Sequence, residues 1–342
     1  MAYVSAGALR ALDLSTCRTR TVVAHGASLP LAFSHDGRWI AFGYGKVVRA
    51  AGGKVLQPAG AVYRWAWSPT RDVLAGLTAG QALVEGGPGI AGRVRAPPGW
   101  GAMSFAWAPN GVDLAVGRGK FIGPATTKGI QQLVVFDANG SHVVYRTPRG
   151  GIDPPIVSAW IGPRIYFQPD MQNSASIAAD GLPLVALDGG RTRTVVGAML
   201  PSFPLVPCGS RTVIVAGGDR NTETNKRIVA DDGVHATTLT SGTLVWVEPA
   251  CGPSIAAAAG PDRRTEGMIL PQRSIWLLSP LRRLTRSPKG WSDESPTWTA
   301  NEKALVFLRE RFAKGSLYTV DPTTKNVDGP LATNVTGFAV GQ

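Results

Sequence analysis

The sequence predicts an all-β fold, a β-propeller whose blades are four-stranded antiparallel sheets. Three observations support this prediction. A strand–turn–strand pattern recurs along the chain, its aromatic residues recur at intervals of about 40 residues, and 42 glycines and 26 prolines in 342 residues supply many turns. Units of this length with four strands each are typical of propeller blades.

The repeating unit is clearest in residues 31–42, which read LAFSHDGRWIAF. Leu31–Phe33 is predicted to be a short apolar strand. Asp36 and Gly37 then favour a tight turn, because aspartate bonds its own backbone and glycine accepts a positive φ. Trp39–Phe42 follows as a strand that is apolar on both faces, as expected for a strand buried on both sides.

Weaker copies of this unit follow along the chain. They begin at Trp65, Phe105, Ser158, Leu205, Val247 and Pro296. The aromatic anchors Phe33, Trp67 and Trp107 recur at intervals of 34 and 40 residues, and Trp160 follows 53 residues later. Two further strands are predicted in each unit. With a closing blade, the count is eight; seven is the alternative if one of the two weakest units is not a blade.

The two chain ends are predicted to share the closing blade. Residues 1–25 carry three predicted strands with no inner strand before them, and residues 333–342 carry an inner strand with nothing after it. We therefore interpret residues 1–342 as a single propeller domain. The segment RTRTVV occurs at both 18–23 and 191–196, as expected of an internal repeat.

Several turns resemble those of the TolB-like, WD-like β-propeller repeat family. Residues 67–70 (WSPT) and 33–37 (FSHDG) are similar to the WSPDG turn of that family, and residues 284–301 resemble its repeat best. The middle units depart from it, since Cys208 and Cys251, each followed by glycine, replace the usual turn. The family includes periplasmic scaffold proteins, propeller caps on peptidases and some lyases, so the resemblance implies an architecture and not a reaction.

The net charge of +12 and the isoelectric point of about 10.1 suggest a polyanionic partner. The alternative is that arginines on outer strands discourage edge-to-edge aggregation, and this reading is favoured. The arginines on or beside predicted outer strands are Arg18, Arg20, Arg93, Arg95, Arg191, Arg193, Arg282, Arg283 and Arg286. No nucleic-acid-binding motif is present, so no specific nucleic-acid partner is predicted.

Catalytic motifs are absent from the sequence: there is no GxSxG elbow, P-loop, HExxH or GxGxxG. The four histidines, His25, His35, His142 and His235, are interpreted as surface residues. We therefore predict no cofactor and no metal, and leave enzymatic activity undecided, leaning towards none. No apolar run approaches the roughly 20 residues that cross a bilayer. The resemblance implies a periplasmic or extracellular protein if a leader was removed; otherwise a cytoplasmic one is expected.

The three cysteines are an odd number. Cys208 and Cys251 occupy equivalent turns of neighbouring units, which makes them the candidate disulfide and leaves Cys17 free. The alternative is that both are small buried residues with free thiols.

The candidate ligand-binding residues come from predicted loops on one face, where repeat proteins usually bind their partners, and the long loops predicted there include residues 260–273 and 308–314. Glycine-flanked tryptophans can stack on a sugar or anchor a peptide, or can fold back between blades, which is slightly favoured. Asp293 is placed at the channel mouth. The full set is Trp100, Trp291, Arg64, Tyr63, Asp293, Lys120, Arg263 and Arg311.

Three functions remain open at this point. The first is a non-catalytic, monomeric propeller scaffold that binds a protein or peptide on its loop-rich face. The second is a propeller lyase or hydrolase acting on an anionic polysaccharide, and an anionic glycan is a possible partner. The third is a structural or sensory repeat module.

Overall fold

The computed structural model describes residues 1–96, 100–121, 129–148, 154–169, 181–218, 226–265, 268–312 and 314–341, and no side chains at 121, 262–265, 268–270 or 314. The described part is all-β and contains no helix. The chain forms two compact units, one of residues 33–202 and one of residues 1–32 with 203–342. We call them the middle unit and the terminal unit. The single-domain assignment stays a prediction.

The middle unit consists of short strands joined mostly by tight turns. Strand β4 (Leu31–Phe33) ends at Phe33, the first residue of this unit. The strands that follow are β5 (Trp39–Phe42), β6 (Lys46–Arg49), β7 (Arg64–Trp67), β8 (Leu74–Leu77), β9 (Leu83–Gly87), β10 (Ile90–Ala96), β11 (Gly101–Trp107), β12 (Leu114–Phe121), β13 (Gly129–Asp137), β14 (Gly140–Arg146), β15 (Ile156–Ile161), β16 (Arg164–Gln168), β17 (Leu182–Asp188) and β18 (Arg191–Met199). In order, β4 to β6 form a three-stranded sheet, and β7–β10, β11–β14 and β15–β18 form four-stranded sheets.

The terminal unit joins the N-terminal strands to the last third of the chain. Its strands are β1 (Ala2–Ser5), β2 (Ala8–Asp13), β3 (Arg18–Val23), β19 (Val206–Cys208), β20 (Arg211–Ala216), β21 (Arg227–Asp231), β22 (Ala236–Thr238), β23 (Val245–Ala250), β24 (Ala256–Gly260), β25 (Asp262–Thr265), β26 (Met268–Pro271), β27 (Ser274–Leu278), β28 (Leu281–Arg283), β29 (Ser292–Trp298), β30 (Leu305–Arg311), β31 (Lys314–Val320) and β32 (Val327–Ala339). Two sheets have four strands, β19–β22 and β23-β24-β27-β28, and one has seven, β29-β30-β31-β32-β1-β2-β3.

The chain ends meet in the seven-stranded sheet. The first part of β32 pairs with β31, and its second part pairs with β1, with Ala2 opposite Ala339 and Tyr3 opposite Phe338. The sequence predicts this pairing of the N-terminal strands with an inner strand near residue 335. The predicted outer strand near residues 326–331 is not a separate element, because it continues into that inner strand as β32. The number of blades and the closure of a ring stay predictions.

Two segments interpreted from sequence as long loops are mostly strand. Residues 260–273 contain the hairpin β25–β26, in which Asp262 pairs with Pro271 and Thr265 with Met268. Residues 308–314 are a tight connection between β30 and β31, which pair as far as Arg311 and Lys314. The sequence interpretation is wrong here because polar, charged residues form these strand ends, and apolar periodicity does not identify them.

Tryptophans pack neighbouring sheets together within each unit. The indole N–H of Trp107 donates to the carbonyl of Ala66 at 3.0 Å, and that of Trp298 donates to the carbonyl of Ser254 at 3.1 Å. The ring of Trp298 lies against Gly252, where a Cβ atom would come within 2.5 Å of the indole. Trp107 and Trp298 therefore each bury the ring and satisfy the indole N–H on the preceding sheet.

Cys208 and Cys251 are bonded to each other, with their Cα atoms 5.5 Å apart. The bond links β19, in one sheet, to the end of β23, in the next. Cys17 is exposed and has a free thiol. The bond closes a loop across two neighbouring sheets of the terminal unit, which restricts the unfolded chain.

Deletion of residues 334–342 should destabilise the terminal unit, because β1 loses the strand with which it pairs and the buried Tyr3 and Val4 lose their cover. We expect a loss of several kcal/mol, a large part of the roughly 5–15 kcal/mol typical of a folded domain. Urea unfolding measures it. Deletion of residues 341–342 is the control and should change little. An unchanged unfolding midpoint in the longer deletion would show that this pairing does not stabilise the fold.

Thiol titration of the unfolded, unreduced chain should detect one reactive thiol, that of Cys17, and reduction should raise the number to three. The variant Cys17→Ser should give none before reduction. Three thiols before reduction would contradict the bond between Cys208 and Cys251.

Candidate functional site

Three glutamates of the terminal unit approach one another from three strands. Glu248 lies in β23, Glu294 in β29 and Glu310 in β30, and all three are partly buried. Glu294 is opposite Leu308, so that Glu310 lies two residues further along the partner strand, on the same face. We call these three residues the glutamate cluster.

Proline shapes the backbone beside two members of the cluster. Glu248 precedes Pro249 and Ser295 precedes Pro296, at equivalent places in consecutive units. Proline has no N–H for a sheet ladder and is therefore confined to bulges and edges. The pairing register of β23 shifts after Val247, and that of β29 shifts after Glu294.

Both bulges place a residue other than glycine in the left-handed region. The φ angles are 52° at Glu248 and 54° at Ser295. Such a conformation costs on the order of 1–2 kcal/mol per residue. The bulge at Ser295 releases the N–H of that residue from the ladder, and this N–H donates to the Glu248 carboxylate at 2.6 Å. The Ser295 hydroxyl donates to the same carboxylate at 3.3 Å.

Arg273 is the cation beside the cluster. Its guanidinium lies 3.5 Å from a carboxylate oxygen of Glu294, and both side chains are largely buried. Its backbone is also fixed, because its N–H donates to the Ser292 hydroxyl and its carbonyl accepts from the N–H of Asp293 at 3.0 Å. The loop before β27 is thereby held against β29.

Two carboxyl groups of the cluster, those of Glu248 and Glu310, resist ionisation. Burial raises the pKa of Glu310 to about 7, and the charges of Glu294 and Glu248 and a hydrogen bond with Glu294 act in the same direction. Burial also raises the pKa of Glu248, and the charge of Glu294 adds to this against the opposing effect of Ser295 and Arg273. Like charges that share a partly buried site cannot all ionise at neutral pH. Glu310 can therefore hold a proton near pH 7.

Asp293 has a different role from its neighbour Glu294, since adjacent residues of a strand point to opposite faces. It is fully buried, and its two oxygens accept hydrogen bonds from the Arg309 guanidinium at 2.6 and 2.9 Å. The hydrogen bond and charge of Asp293 raise the pKa of Arg309, whose guanidinium also lies over the rings of Phe307 and Tyr318. This pair fixes β29 to β30 beneath the cluster.

Aromatic and basic side chains lie next to the cluster in sequence and in strand register. Arg311 follows Glu310, is exposed and lies over the Phe312 ring, which is 61% exposed. Its guanidinium also lies beside Gly290, so Trp291 and Arg311 are neighbours. Trp291 is partly buried. We call Trp291, Arg311 and Phe312 the aromatic rim.

The middle unit holds other predicted residues. Tyr63 is 47% exposed and Tyr44 is 65% exposed, and the N–H of Val62 donates to the Tyr44 carbonyl, which brings the two tyrosines close together. Arg64 follows at the start of β7. Crowding by protein atoms lowers the pKa of Arg64, although solvent still reaches its side chain.

Trp100 is partly buried and lies against Arg118, whose guanidinium is 4.5 Å from the indole centroid. The same guanidinium lies 5.7 Å from the Phe136 ring, and burial lowers the pKa of Arg118. Trp100 thus packs on Arg118 of β12, in the sheet that Trp100 itself precedes. Lys120, at the end of β12, is exposed. Arg263 lies in β25, and its side chain is outside the described part.

Of the predicted set, the structure brings Trp291 and Arg311 together, and Tyr63 and Arg64. Sequence reasoning did not identify Glu248, Glu310 or Arg273. Glu248-Pro249 and Ser295-Pro296 were a usable signal, because proline inside a predicted strand indicates a bulge, and a bulge redirects the side chain beside it. The partnership of Glu310 with Glu294 depends on strand register, which the sequence does not give.

A second acidic group lies in the middle unit. Ligand atoms of His35, Asp36 and Asp72 are within 4.8 Å of one another. The guanidinium of Arg38 already pairs with both aspartates, 3.4 Å from Asp72. One guanidinium is thus shared by the two carboxylates, and His35 lies 3.2 Å from Asp72.

Searches for related proteins found similarity in structure alone. No protein-family model matches the chain, and no curated protein sequence is similar to it. The chain is similar in structure to an oligogalacturonate lyase solved in complex with manganese, with 16% identity, a TM-score of 0.55, and coverage of 95% of this chain and 96% of that one.

It is also similar to a prolyl endopeptidase, with 10% identity, a TM-score of 0.58 and 96% of this chain covered. The chain is similar as well to the acylaminoacyl peptidase of Pyrococcus horikoshii, with 12% identity, a TM-score of 0.51 and 93% of this chain covered. These proteins contain β-propellers. The chain has a β-propeller fold.

This propeller spans about half the length of the two peptidases, 48% and 51% of their chains. At these identities the similarity establishes the fold and carries no activity. Among the described residues of the propeller, no helix is long and apolar enough to cross a membrane.

Replacing Glu310 by glutamine should flatten the dependence of stability on pH. The raised pKa means that the folded state binds the proton more tightly than the unfolded state, so this stability is complete below the ordinary value of 4.5 and is lost as pH rises to about 7. Between about pH 5 and pH 8, we expect the wild type to lose on the order of 1–3 kcal/mol more than Glu310→Gln.

Urea unfolding at a series of pH values measures this difference. Glu302→Gln is the matched control, because Glu302 is an exposed glutamate of the same unit. Its profile should follow that of the wild type. Parallel profiles for wild type and Glu310→Gln would mean that Glu310 is an ordinary surface acid.

Proposed function

We propose that the chain is a non-catalytic propeller that binds a protein or peptide, and that the glutamate cluster holds a cationic group of this ligand. The observation that carries the proposal is the convergence of Glu248, Glu294 and Glu310 on one place with Arg273 as the adjoining cation. The ligand group is a lysine or arginine side chain, or a peptide amino terminus.

The charge balance supports a cationic ligand. Three carboxyl groups face one guanidinium, and a partly buried site with excess negative charge is costly, so burial and the neighbouring charges raise the pKa of Glu248 and of Glu310. A ligand cation neutralises this excess and allows Glu310 to ionise. Binding should therefore release a proton near neutral pH, because the cation favours the charged carboxylate.

The aromatic rim supports a peptide as the ligand. Exposed aromatic residues and arginine are enriched among residues that carry binding energy at protein interfaces. Phe312 and Trp291 offer apolar surface one or two residues along the strands from Glu310 and Ser292, and Arg311 can bond a peptide carbonyl or carboxylate. Glu294 replaces Asp293 as the proposed contact, since Arg309 occupies both oxygens of Asp293. Tyr63, Arg64, Trp100, Lys120 and Arg263 remain proposed contacts.

Selection from a random peptide display library tests this function. The wild type should select peptides rich in lysine or arginine, and their affinity should fall at least about tenfold for the Glu248→Gln/Glu294→Gln variant, as for loss of a charge-assisted contact. The control Glu302→Gln/Asp328→Asn removes two surface charges of the same unit and should bind as the wild type does. Failure to select any peptide, or selected peptides that bind both variants equally, would refute the proposal.

An acid–base enzyme is the second candidate, and the proton that Glu310 can hold near pH 7 favours it. A carboxyl group with a pKa near 7 beside an ionised one is suited to general acid catalysis. A uronic-acid polymer fits this site less well, because its carboxylates would meet those of the cluster. Turnover of a panel of neutral and anionic polysaccharides that is abolished in Glu310→Gln would favour this candidate over the binding module.

We further propose that the protein works as a monomer in an oxidising compartment, periplasmic or extracellular. The bond between Cys208 and Cys251 supports this location, since disulfides persist in such compartments and are rare in a reducing cytosol. A purely structural or sensory module is the remaining reading, and it predicts no dependence of binding on the glutamate cluster.

A further inference from the structure

A basic cleft lies in the terminal unit, between the hairpin β27–β28 and the turn that follows β31. Its volume is about 590 Å³. Three of the lining residues are cations, and none is acidic. The lining residues are Trp276, Arg283, Leu284, Thr285, Arg286 and Lys325.

Backbone hydrogen bonds determine which residues face the cleft. The N–H groups of Leu284 and Thr285 donate to the carbonyl of Ile275, and the Thr285 hydroxyl accepts from the N–H of Ile275 at 2.9 Å. Leu284 and Thr285 are thereby buried, whereas Arg283 and Arg286 on either side are exposed. These hydrogen bonds therefore fix the backbone from which the exposed side chains of Arg283 and Arg286 extend.

The opposite wall is fixed in a similar way. Lys325 closes the turn after β31, with its N–H donating to the carbonyl of Asp321 at 2.8 Å and a φ of 64°. Arg282, adjacent to the cleft, donates to the carbonyl of Pro322 in the same turn. The arginine thus ties the turn to the hairpin, and Lys325 is held across the cleft from Arg283 and Arg286.

The cations of the cleft have no counter-charge in the described part of the chain. Arg283, Arg286 and Lys325 form no ion pair there, and Arg283 instead lies 5.8 Å from the centroid of the Trp276 ring. Two acids are near Lys325 in sequence: Asp328, which is exposed, and Asp321, whose carboxylate is engaged by the N–H groups of Thr323 and Thr324, which lower its pKa. Three uncompensated cations around one concavity create a positive potential that favours an anion.

An unused hydrogen-bond donor borders the same cleft. The indole N–H of Trp276 is buried and has no acceptor among the described residues. The ring of Trp276 supplies an apolar part of the lining. For the outer-strand arginines the sequence favours protection against aggregation over a polyanionic partner, but scattered edge charges would not converge with a lysine from another strand pair.

We propose that this cleft binds a phosphate monoester of a small molecule. Guanidinium groups pair with phosphate oxygens through two parallel hydrogen bonds, and three cations suit a dianion better than a single carboxylate. The cleft is larger than one phosphate group, so the rest of the ester has room beside Trp276 and Leu284. This site is separate from the glutamate cluster and does not depend on the proposed peptide-binding function.

Isothermal titration with inorganic phosphate, at constant ionic strength in a chloride buffer, is the first test. The wild type should bind phosphate at least about tenfold more tightly than Arg283→Gln/Arg286→Gln/Lys325→Gln. The control Arg18→Gln/Lys54→Gln/Arg191→Gln has the same net charge, replaces exposed cations elsewhere and should bind as the wild type does. Equal affinity of the two triple variants, or no binding by the wild type, would overturn the proposal.

Further arms distinguish the source of the phosphate. Glycerol 2-phosphate represents a soluble ester, and phosphatidylcholine vesicles with about 10 mol % phosphatidic acid represent a lipid headgroup. The proposal expects glycerol 2-phosphate to bind more tightly than inorganic phosphate. Binding to vesicles without binding to the soluble ester would overturn it in favour of a membrane surface. If the triple variant unfolds, Arg286→Gln alone should still weaken phosphate binding, with an unchanged melting temperature in chloride.

Discussion

Antiparallel pairing between β1 and the second half of β32 connects residues more than 330 positions apart in sequence, Ala2 with Ala339. Contacts of such separation carry the largest entropic cost of chain closure, and the cost must be met by burial. Tyr3, Val4 and Val335, all nearly inaccessible to solvent, provide that burial. The packing of the first 32 residues with the last third of the chain depends on this one ladder. The polar sites of the terminal unit lie in the sheet that contains it, or beside that sheet.

Much of the fold follows from the printed sequence, and little of the candidate site does. Strands such as Leu31–Phe33 and Trp39–Phe42, and the pairing of the chain ends, could be predicted because apolar runs, turn residues and repeats are local signals. The hairpin at 262–271 could not, since β25 is polar and β26 is an apolar run of only four residues. The glutamate cluster could not either, because its members are 46 and 16 residues apart and meet only through strand register. Asp293 was selected as a ligand residue because it was expected at the channel mouth, and its two oxygens are instead occupied by Arg309.

The terminal unit holds two sites of opposite charge. The glutamate cluster has more carboxylates than cations around it, and the basic cleft has cations without carboxylates. The net charge of +12 belongs to the whole chain and does not give the local charge of either site. Local arrangement decides what each surface attracts, because interactions between exposed charges are screened beyond about 10 Å in ordinary salt. The proposed cation and anion sites are therefore compatible with each other on one chain.

The left-handed conformations of Glu248 and Ser295 have a consequence for how this protein would respond to selection. At both positions glycine would relieve backbone strain, so a search for thermostable variants would be drawn to it. At Ser295, glycine would keep the N–H that bonds the Glu248 carboxylate and lose only the hydroxyl. At Glu248, it would remove a carboxyl group of the cluster. Stability and the proposed ligand binding thus compete at Glu248 and hardly at all at Ser295. In a library evolved for both properties, the ratio of glycine to the native residue at these two positions would measure how strongly binding needs the Glu248 carboxylate.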